Sequence, residues 1–95
     1  MAIARVYSLT AGDGQETALE EAMAALADAL GQAEGNLATR ILHDLAKPGH
    51  YRFVEHWADE AARKAGGASV DKAIMKQLMA ALKEPPGTED YEILR

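Results

Sequence analysis

The sequence contains no cysteine, which excludes disulfide cross-links, thiolate metal ligands and a cysteine nucleophile together. Aromatic residues are also scarce, at 5% of the chain, with a single Trp and a single Phe. No apolar run approaches the length of a membrane span, and the N-terminal segment has no apolar stretch long enough for a signal peptide. We therefore expect a cytoplasmic protein that is not embedded in a membrane.

Basic residues are missing from one long segment of the chain. No Lys or Arg lies between Arg5 and Arg40, whereas six acidic residues do, and the formal net charge is -5. Phosphate backbones and anionic lipid headgroups attract cations, so an acidic helix of this kind is a poor partner for either. The charge distribution predicts no binding to nucleic acid or to membranes.

Sequence signatures of several enzyme classes are absent as well. There is no glycine-rich dinucleotide motif, no phosphate-binding loop and no Gly-x-Ser-x-Gly elbow. The three histidines, His43, His50 and His56, lack the short helical spacing of a zinc site. We therefore expect neither a nucleotide-dependent enzyme nor a metal centre.

What is present predicts a single small α+β domain over residues 1–95, a length at which one hydrophobic core is only just sufficient. Glycines, prolines and helix-capping residues divide the chain into alternating segments. The expected elements are a strand over 2–10, a helix from the Asp13–Glu16 capping box to about Glu34 with Gly35 as its stop, a strand over 36–45, a tight turn at Lys47–His50, a strand over Tyr51–Trp57, a short helix from Asp59 to about Ala65 that breaks at Gly66–Gly67, a helix capped by Ser69, and a strand over 89–95.

This order is the split βαβ pattern of ferredoxin-like folds, in which a four-stranded antiparallel sheet carries its helices on one face. The other face of the sheet would remain bare. Because a contiguous exposed apolar patch usually marks an interface, we expect the chain to form a homodimer through that face.

The stretch "YRFVEHWADEAA" ends a strand in Glu55-x-Trp57 and caps a short helix with Asp59. In this it resembles the antibiotic biosynthesis monooxygenase family, as does the later "IMKQLMAALKEPPGTEDYEIL". The resemblance covers Ile3 to Leu94. It implies a ferredoxin-like chain that dimerises into an α+β barrel, with a pocket between sheet and helices. In characterised relatives this pocket oxygenates phenolic or quinol-type substrates without metal or flavin, and other relatives have no assigned chemistry.

The chain departs from the family pattern at one position. Relatives often carry His about nine residues after this Trp, where this chain has Gly66, and no His follows Trp57. Two functions therefore stay open: a cofactor-independent monooxygenase acting on a small aromatic, phenolic or quinol-type substrate, and a non-catalytic dimeric module that binds a small ligand or supports a pathway enzyme.

The faces of the hairpin depend on its register. If the turn at 47–50 sets it, paired residues have numbers that sum to 97, so that Arg40 lies opposite Trp57. Arg40, Glu55 and Trp57 then share one face with Phe53, and His43 and His56 share the other.

Three residues are candidates for catalysis, because oxygenation without a cofactor needs a base, a group that holds the substrate anion and an aromatic wall. His43 is either a general base or a neutral, hydrogen-bonded imidazole. Glu55 is either a base or half of a structural pair with an Arg, and Trp57 is either a substrate wall or a core aromatic. Residues that fill the core or the sheet faces, or else contact a substrate, are Tyr7, Arg40, Phe53, His56, Met75, Met79 and Tyr91.

Overall fold

The two central strands are rich in β-branched and aromatic residues, and the first two helices are rich in alanine, as the propensities of these residues favour. The computed structural model describes residues 1–95. Its elements are β1 (Ile3–Thr10), α1 (Glu16–Gly31), β2 (Asn36–His43), β3 (His50–Trp57), α2 (Glu60–Ala68), α3 (Lys72–Ala80) and β4 (Gly87–Glu92). No helix is long and apolar enough to cross a membrane.

The strands form one antiparallel sheet in the order β2-β3-β1-β4. Alternate residues of β3 are buried, as period-two alternation requires when one face of a sheet is covered. The helices cover the face that carries Tyr51, Phe53, Glu55 and Trp57. The predicted α+β ferredoxin-like architecture with helices on one face is therefore confirmed.

The core lies between this sheet face and the helices and contains 13 buried apolar residues. From the sheet come the aromatic side chains of Tyr51, Phe53 and Trp57, which are at most 1% exposed. From α1 come five residues at helical spacing, Leu19, Ala22, Met23, Leu26 and Leu30. Burial of side chains of this size contributes about 1.5–3 kcal/mol each, so β3 and α1 make the largest contributions to the hydrophobic stabilisation.

The start and the end of α1 differ from the prediction. Asp13 does not cap the helix, because residues 12–15 form a turn in which Gln15 N donates to Gly12 O and Gly14 has a φ of 72°. The helix then begins at Glu16 without a side-chain cap, and it ends at Gly31. Gly35 does adopt the predicted left-handed conformation, at φ 85°, but in the turn that leads into β2.

The predicted break at Gly66–Gly67 is wrong, since α2 continues through both glycines to Ala68. The predicted cap at Asp59 is confirmed, because its carboxylate accepts a hydrogen bond from Ala62 N. Ser69 ends α2 rather than starting α3, and its hydroxyl donates to Gly66 O. The next helix is instead capped by Asp71, which accepts from Ala73 N.

Close packing explains why a helix retains Gly66 despite its low helix propensity. A Cβ atom at this position would collide with Cη2 of Trp57, well inside van der Waals contact. Ala62 lies one turn before Gly66 on the same face of α2. A Cβ atom at Gly35, in the turn before β2, would lie 2.5 Å from Cβ of Ala62. Two glycines therefore let α2 lie directly on Trp57 and on the turn before β2.

The predicted hairpin register is also wrong. The turn at 47–50 is present, with Gly49 at φ 80°, but Asp44 accepts hydrogen bonds from the backbone N–H groups of Ala46 and Lys47. This side-chain turn lengthens the loop to residues 45–49. Arg40 consequently pairs with Val54 instead of Trp57, an odd offset of three residues that reverses the faces of β2 relative to β3.

Substitution of the two neighbouring glycines tests the contact between α2 and Trp57. We expect Gly66→Ala to lower the free energy of unfolding by about 1–3 kcal/mol through overpacking. Gly67→Ala is the matched control, because no atom lies within 4 Å of the position that its Cβ would occupy, and it should raise the free energy of unfolding by up to about 1 kcal/mol through helix propensity. Urea unfolding followed by circular dichroism measures both, and equal effects would contradict the packing argument.

Candidate functional site

A cavity of about 190 Å³ lies between the sheet and the three helices. Its wall is mainly apolar, with contributions from β1, β3, all three helices and the loop before β4. The lining residues are Tyr7, Leu9, Leu26, Leu30, Phe53, Glu55, Arg63, Gly67, Val70, Met75, Leu78, Met79 and Pro86. A concave apolar site with a few polar groups is typical of small-ligand binding.

Glu55 is the buried carboxylate of this cavity, with 6% of its surface exposed. Its Oε1 accepts a hydrogen bond of 2.9 Å from Nε1 of Trp57, two residues along β3. Burial raises the pKa of Glu55, while the Trp57 N–H and the charges of Arg5 and Arg63 oppose that rise. A carboxylate with a raised pKa is a stronger base than an exposed one once it is ionised.

Two guanidinium groups lie close enough to Glu55 to act on its charge. Arg63 on α2 lines the cavity and pairs with the exposed Glu60 one turn earlier. Arg5 on β1 forms a bidentate pair with Asp90 on β4, at 2.7 and 2.8 Å. Glu60 and Asp90 thus hold the two cations at the edge of the site, and Arg63 presents positive charge to the cavity.

Tyr7 supplies a phenol to the same wall. Its ring centroid lies 6.4 Å from that of Phe53 and 6.0 Å from Cζ of Arg5. Burial raises the pKa of Tyr7, and the negative charge of Glu55 raises it further. The phenol therefore stays protonated at neutral pH and can donate a hydrogen bond to a ligand.

The structure brings five of the predicted site residues together at this cavity. They are Tyr7, Phe53, Glu55, Met75 and Met79. Trp57 lies behind them, because its ring is 0% exposed and packs against Gly66 instead of lining the cavity. Of the two roles considered for Trp57, its position favours the core aromatic, with an added role as hydrogen-bond donor to Glu55.

His43 lies away from the cavity, at the end of β2. It is on the helix-facing side of the sheet, where its ring stacks on Tyr51 with centroids 4.7 Å apart. Tyr51 in turn donates a hydrogen bond of 2.5 Å to Glu20 on α1. Burial and this carboxylate raise the pKa of Tyr51 to about 12. His43 therefore belongs to a cluster that joins the hairpin to α1.

Three other candidates lie on the opposite, open face of the sheet. His56 pairs with Ala4 and Ala38, Arg40 pairs with Val54, and Tyr91 pairs with Ala4, so all three side chains point away from the helices. The predicted grouping of Arg40 with Glu55 and Trp57 is wrong, and so is that of His43 with His56. Both errors follow from the three-residue offset of the hairpin.

Arg63 is the polar side chain of the cavity that was not predicted from the sequence. Its position relative to Asp59 provides a signal, since the N-cap fixes where α2 begins and places Arg63 one turn into the helix. Gly66 and Gly67 follow at the three- and four-residue spacing that shares a helix face. Once α2 is known to be unbroken, this spacing directs Arg63 to the side that faces the sheet.

The structure contains no group of three or more His, Cys, Asp or Glu side chains placed to hold a metal ion. The polar groups of the cavity are one carboxylate, one guanidinium and one phenol. Such a set can accept a proton, stabilise an anion and donate a hydrogen bond.

The sequence profile of the antibiotic biosynthesis monooxygenase family matches residues 2–69. This range includes β1 to β3, α1 and α2, with the Glu55-x-Trp57 motif and Arg63. The chain belongs to this family. Among curated proteins, none matches it.

Solved structures show the same fold over almost the whole chain. A protein of unknown function from Nitrosomonas europaea is 28% identical, with a TM-score of 0.85 over 99% of this chain and 90% of that one. A conserved protein from Methanosarcina mazei Go1 is 20% identical, with a TM-score of 0.89 over 96% and 91%. A variant of SnoaB, a cofactor-independent oxygenase from Streptomyces nogalater, is 16% identical, with a TM-score of 0.83 over 99% and 94%.

The raised pKa of Glu55 makes a prediction about stability. Because the pKa of Glu55 is higher in the folded than in the unfolded chain, its protonation stabilises the folded state. This stabilisation is fully present below the unfolded pKa of about 4.3 and is lost as the pH rises through the folded pKa. Glu55→Gln keeps an oxygen acceptor for Trp57 but removes the charge. We therefore expect the unfolding free energy of the variant, minus that of the wild type, to increase from about pH 4 to about pH 7.

Urea unfolding at three pH values in this range measures the difference. Glu21→Gln, which alters an exposed carboxylate on α1, is the control. If the unfolding free energy of Glu55→Gln, minus that of the wild type, fell with rising pH, the pKa of Glu55 would not be raised in the folded state.

Proposed function

We propose that this chain is a cofactor-independent monooxygenase that oxygenates a small aromatic, phenolic or quinol-type substrate. The observation that carries the proposal is Glu55, a carboxylate held by Trp57 in a mainly apolar cavity that Arg63 also lines. Family membership and the shared fold with the oxygenase SnoaB support the same reaction class.

The roles of the three polar groups follow from the needs of the reaction. Glu55 removes the phenolic or enolic proton, Arg63 stabilises the resulting anion, and Tyr7 donates a hydrogen bond that orients it. The apolar wall excludes water from the anion, which strengthens both interactions.

Molecular oxygen is the oxidant, and the substrate anion itself is the reductant, so no external electron donor is needed. The substrate anion gives one electron to O₂, and the two radicals combine to form a C–O bond. When the carbon carries a second hydrogen, cleavage of the O–O bond leaves a carbonyl and releases water, so that CH₂ and O₂ become C=O and H₂O. The departing oxygen leaves as water with the proton that Glu55 returns and the second proton, which the carbon loses as the C=O bond forms, so that Glu55 is ready for a second cycle.

One feature favours the alternative, a non-catalytic module that binds a small ligand. None of the three histidines lines the cavity, so the side chain most often used as a base is missing from it. In that case the cavity would bind the same phenols through Arg63 and Tyr7 without turnover.

Oxygen consumption distinguishes the two functions. We expect the protein to accelerate O₂ uptake above the buffer rate with some members of a panel of hydroquinones, dihydroxynaphthalenes and anthrones, with a product heavier in oxygen by mass spectrometry. Glu55→Gln should reduce kcat by about 100-fold or more, because it removes the general base. The rate should fall at low pH as Glu55 becomes protonated.

Glu21→Gln is the matched control and should keep the wild-type rate, since its carboxylate is exposed on α1. Binding without any increase in O₂ uptake would support the binding module instead. Full activity in a folded Glu55→Gln variant would show that another group is the base.

We further propose that residues 1–95 act as one domain that pairs with a second copy through the open sheet face. Val6 and Val54 pair at the centre of this face, with the half-exposed side chains of Leu42 and Tyr91 on either side. No helix of the chain covers these side chains. A second sheet of the same kind would remove them from water.

A charge at the centre of this face should separate the two copies. We expect the wild type to have twice the 10.2 kDa mass of the chain in sedimentation equilibrium, and Val54→Asp to sediment as a folded monomer because it would bury an unpaired carboxylate. Ala61→Asp, on an exposed position of α2, should stay dimeric. A monomeric wild type would refute the pairing.

A further inference from the structure

We propose that the cavity takes a phenol of one ring, and that Met75 and Met79 set this limit. The inference rests on the proposed function for the chemistry of the substrate, but the size limit itself concerns binding alone. It follows from the volume of the cavity and from which parts of its wall can move.

The volume is close to that of one aromatic ring with small substituents. The cavity has about 190 Å³. An engineered apolar cavity of about 150 Å³ accommodates benzene, whereas pockets for drug-sized ligands have about 300–1,000 Å³. The space therefore suits a hydroquinone or a catechol, and each further fused ring requires the wall to move.

The buried part of the wall cannot move without disturbing the core. Leu9, Leu26, Leu30 and Leu78 are at most 5% exposed and belong to the buried cluster between sheet and helices. Protein interiors are densely packed, so displacement of these side chains would cost contacts throughout the cluster. On the sheet side, the fully buried ring of Phe53 is equally fixed.

Unlike these buried side chains, the two methionines of α3 are partly exposed. Met75 and Met79 line the cavity yet are 39% and 48% exposed, so they stand between its interior and solvent. Methionine is unbranched and adapts its shape more readily than other apolar side chains. They are the most exposed large apolar side chains of the wall, so a larger ligand would displace them first, and this makes them the determinants of ligand size.

Binding of a ring series under nitrogen tests the limit without any turnover. The probes are phenol, 2-naphthol and 2-hydroxyanthracene, with Kd measured by isothermal titration calorimetry. We expect phenol to bind at least about tenfold more tightly than 2-hydroxyanthracene, against the usual gain in affinity with apolar area. Equal or tighter binding of the three-ring probe, or no binding of phenol at millimolar concentration, would overturn the proposal.

Met79→Ala tests the role assigned to the methionines. Shortening this side chain should tighten the binding of 2-hydroxyanthracene by at least about tenfold while changing that of phenol little. Gln77→Ala, on the same helix but outside this cavity, is the matched control and should change neither. Met75→Ala provides the same comparison if Met79→Ala fails to fold, and an unchanged ring preference in the folded variants would refute the assignment.

The measurements distinguish a failure of the oxygenase assignment from a failure of the size limit. If the protein binds phenol in preference to the three-ring probe but never increases O₂ uptake, the size limit holds and the oxygenase assignment falls. If it turns over anthrones as fast as hydroquinones, the oxygenase assignment holds and the size limit falls.

Discussion

The contact between Trp57 and Gly66 is the constraint on which the rest of the site depends. The indole lies directly beneath α2, where no residue larger than glycine leaves room for it. The same indole holds Glu55 through its N–H at 2.9 Å. One side chain thus fixes the distance of a helix from the sheet and the orientation of a buried carboxylate. Since Arg63 is carried by that helix, its position relative to Glu55 depends on the same contact.

This contact also accounts for the departure from the family pattern. The histidine that the family resemblance implies at this position would collide with Trp57 in the present arrangement, as would any side chain there. Close approach of α2 to Trp57 and the presence of glycine at position 66 therefore go together. The cavity keeps a carboxylate, a guanidinium and a phenol as its polar groups. Glu55 is the one carboxylate among them.

The order and type of the elements could be predicted from the sequence, because turn residues and apolar periodicity are local features. The hairpin register could not, since it depends on the Asp44 side chain accepting two backbone hydrogen bonds and so extending the loop. The continuity of α2 through Gly66 was missed for a similar reason. Local propensity predicts a break at two glycines, and only the position of Trp57 shows why the first of them is needed.

The single tryptophan gives the protein an intrinsic optical probe. Trp57 is the only indole in the chain and is fully buried beneath α2. Its fluorescence emission therefore reports how closely this helix is docked, because lifting α2 would expose the ring to water and shift the emission to longer wavelength. The hydrogen bond from its N–H to Glu55 couples the same emission to the ionisation of the carboxylate. A titration followed at one wavelength would thus observe the helix and the candidate base together.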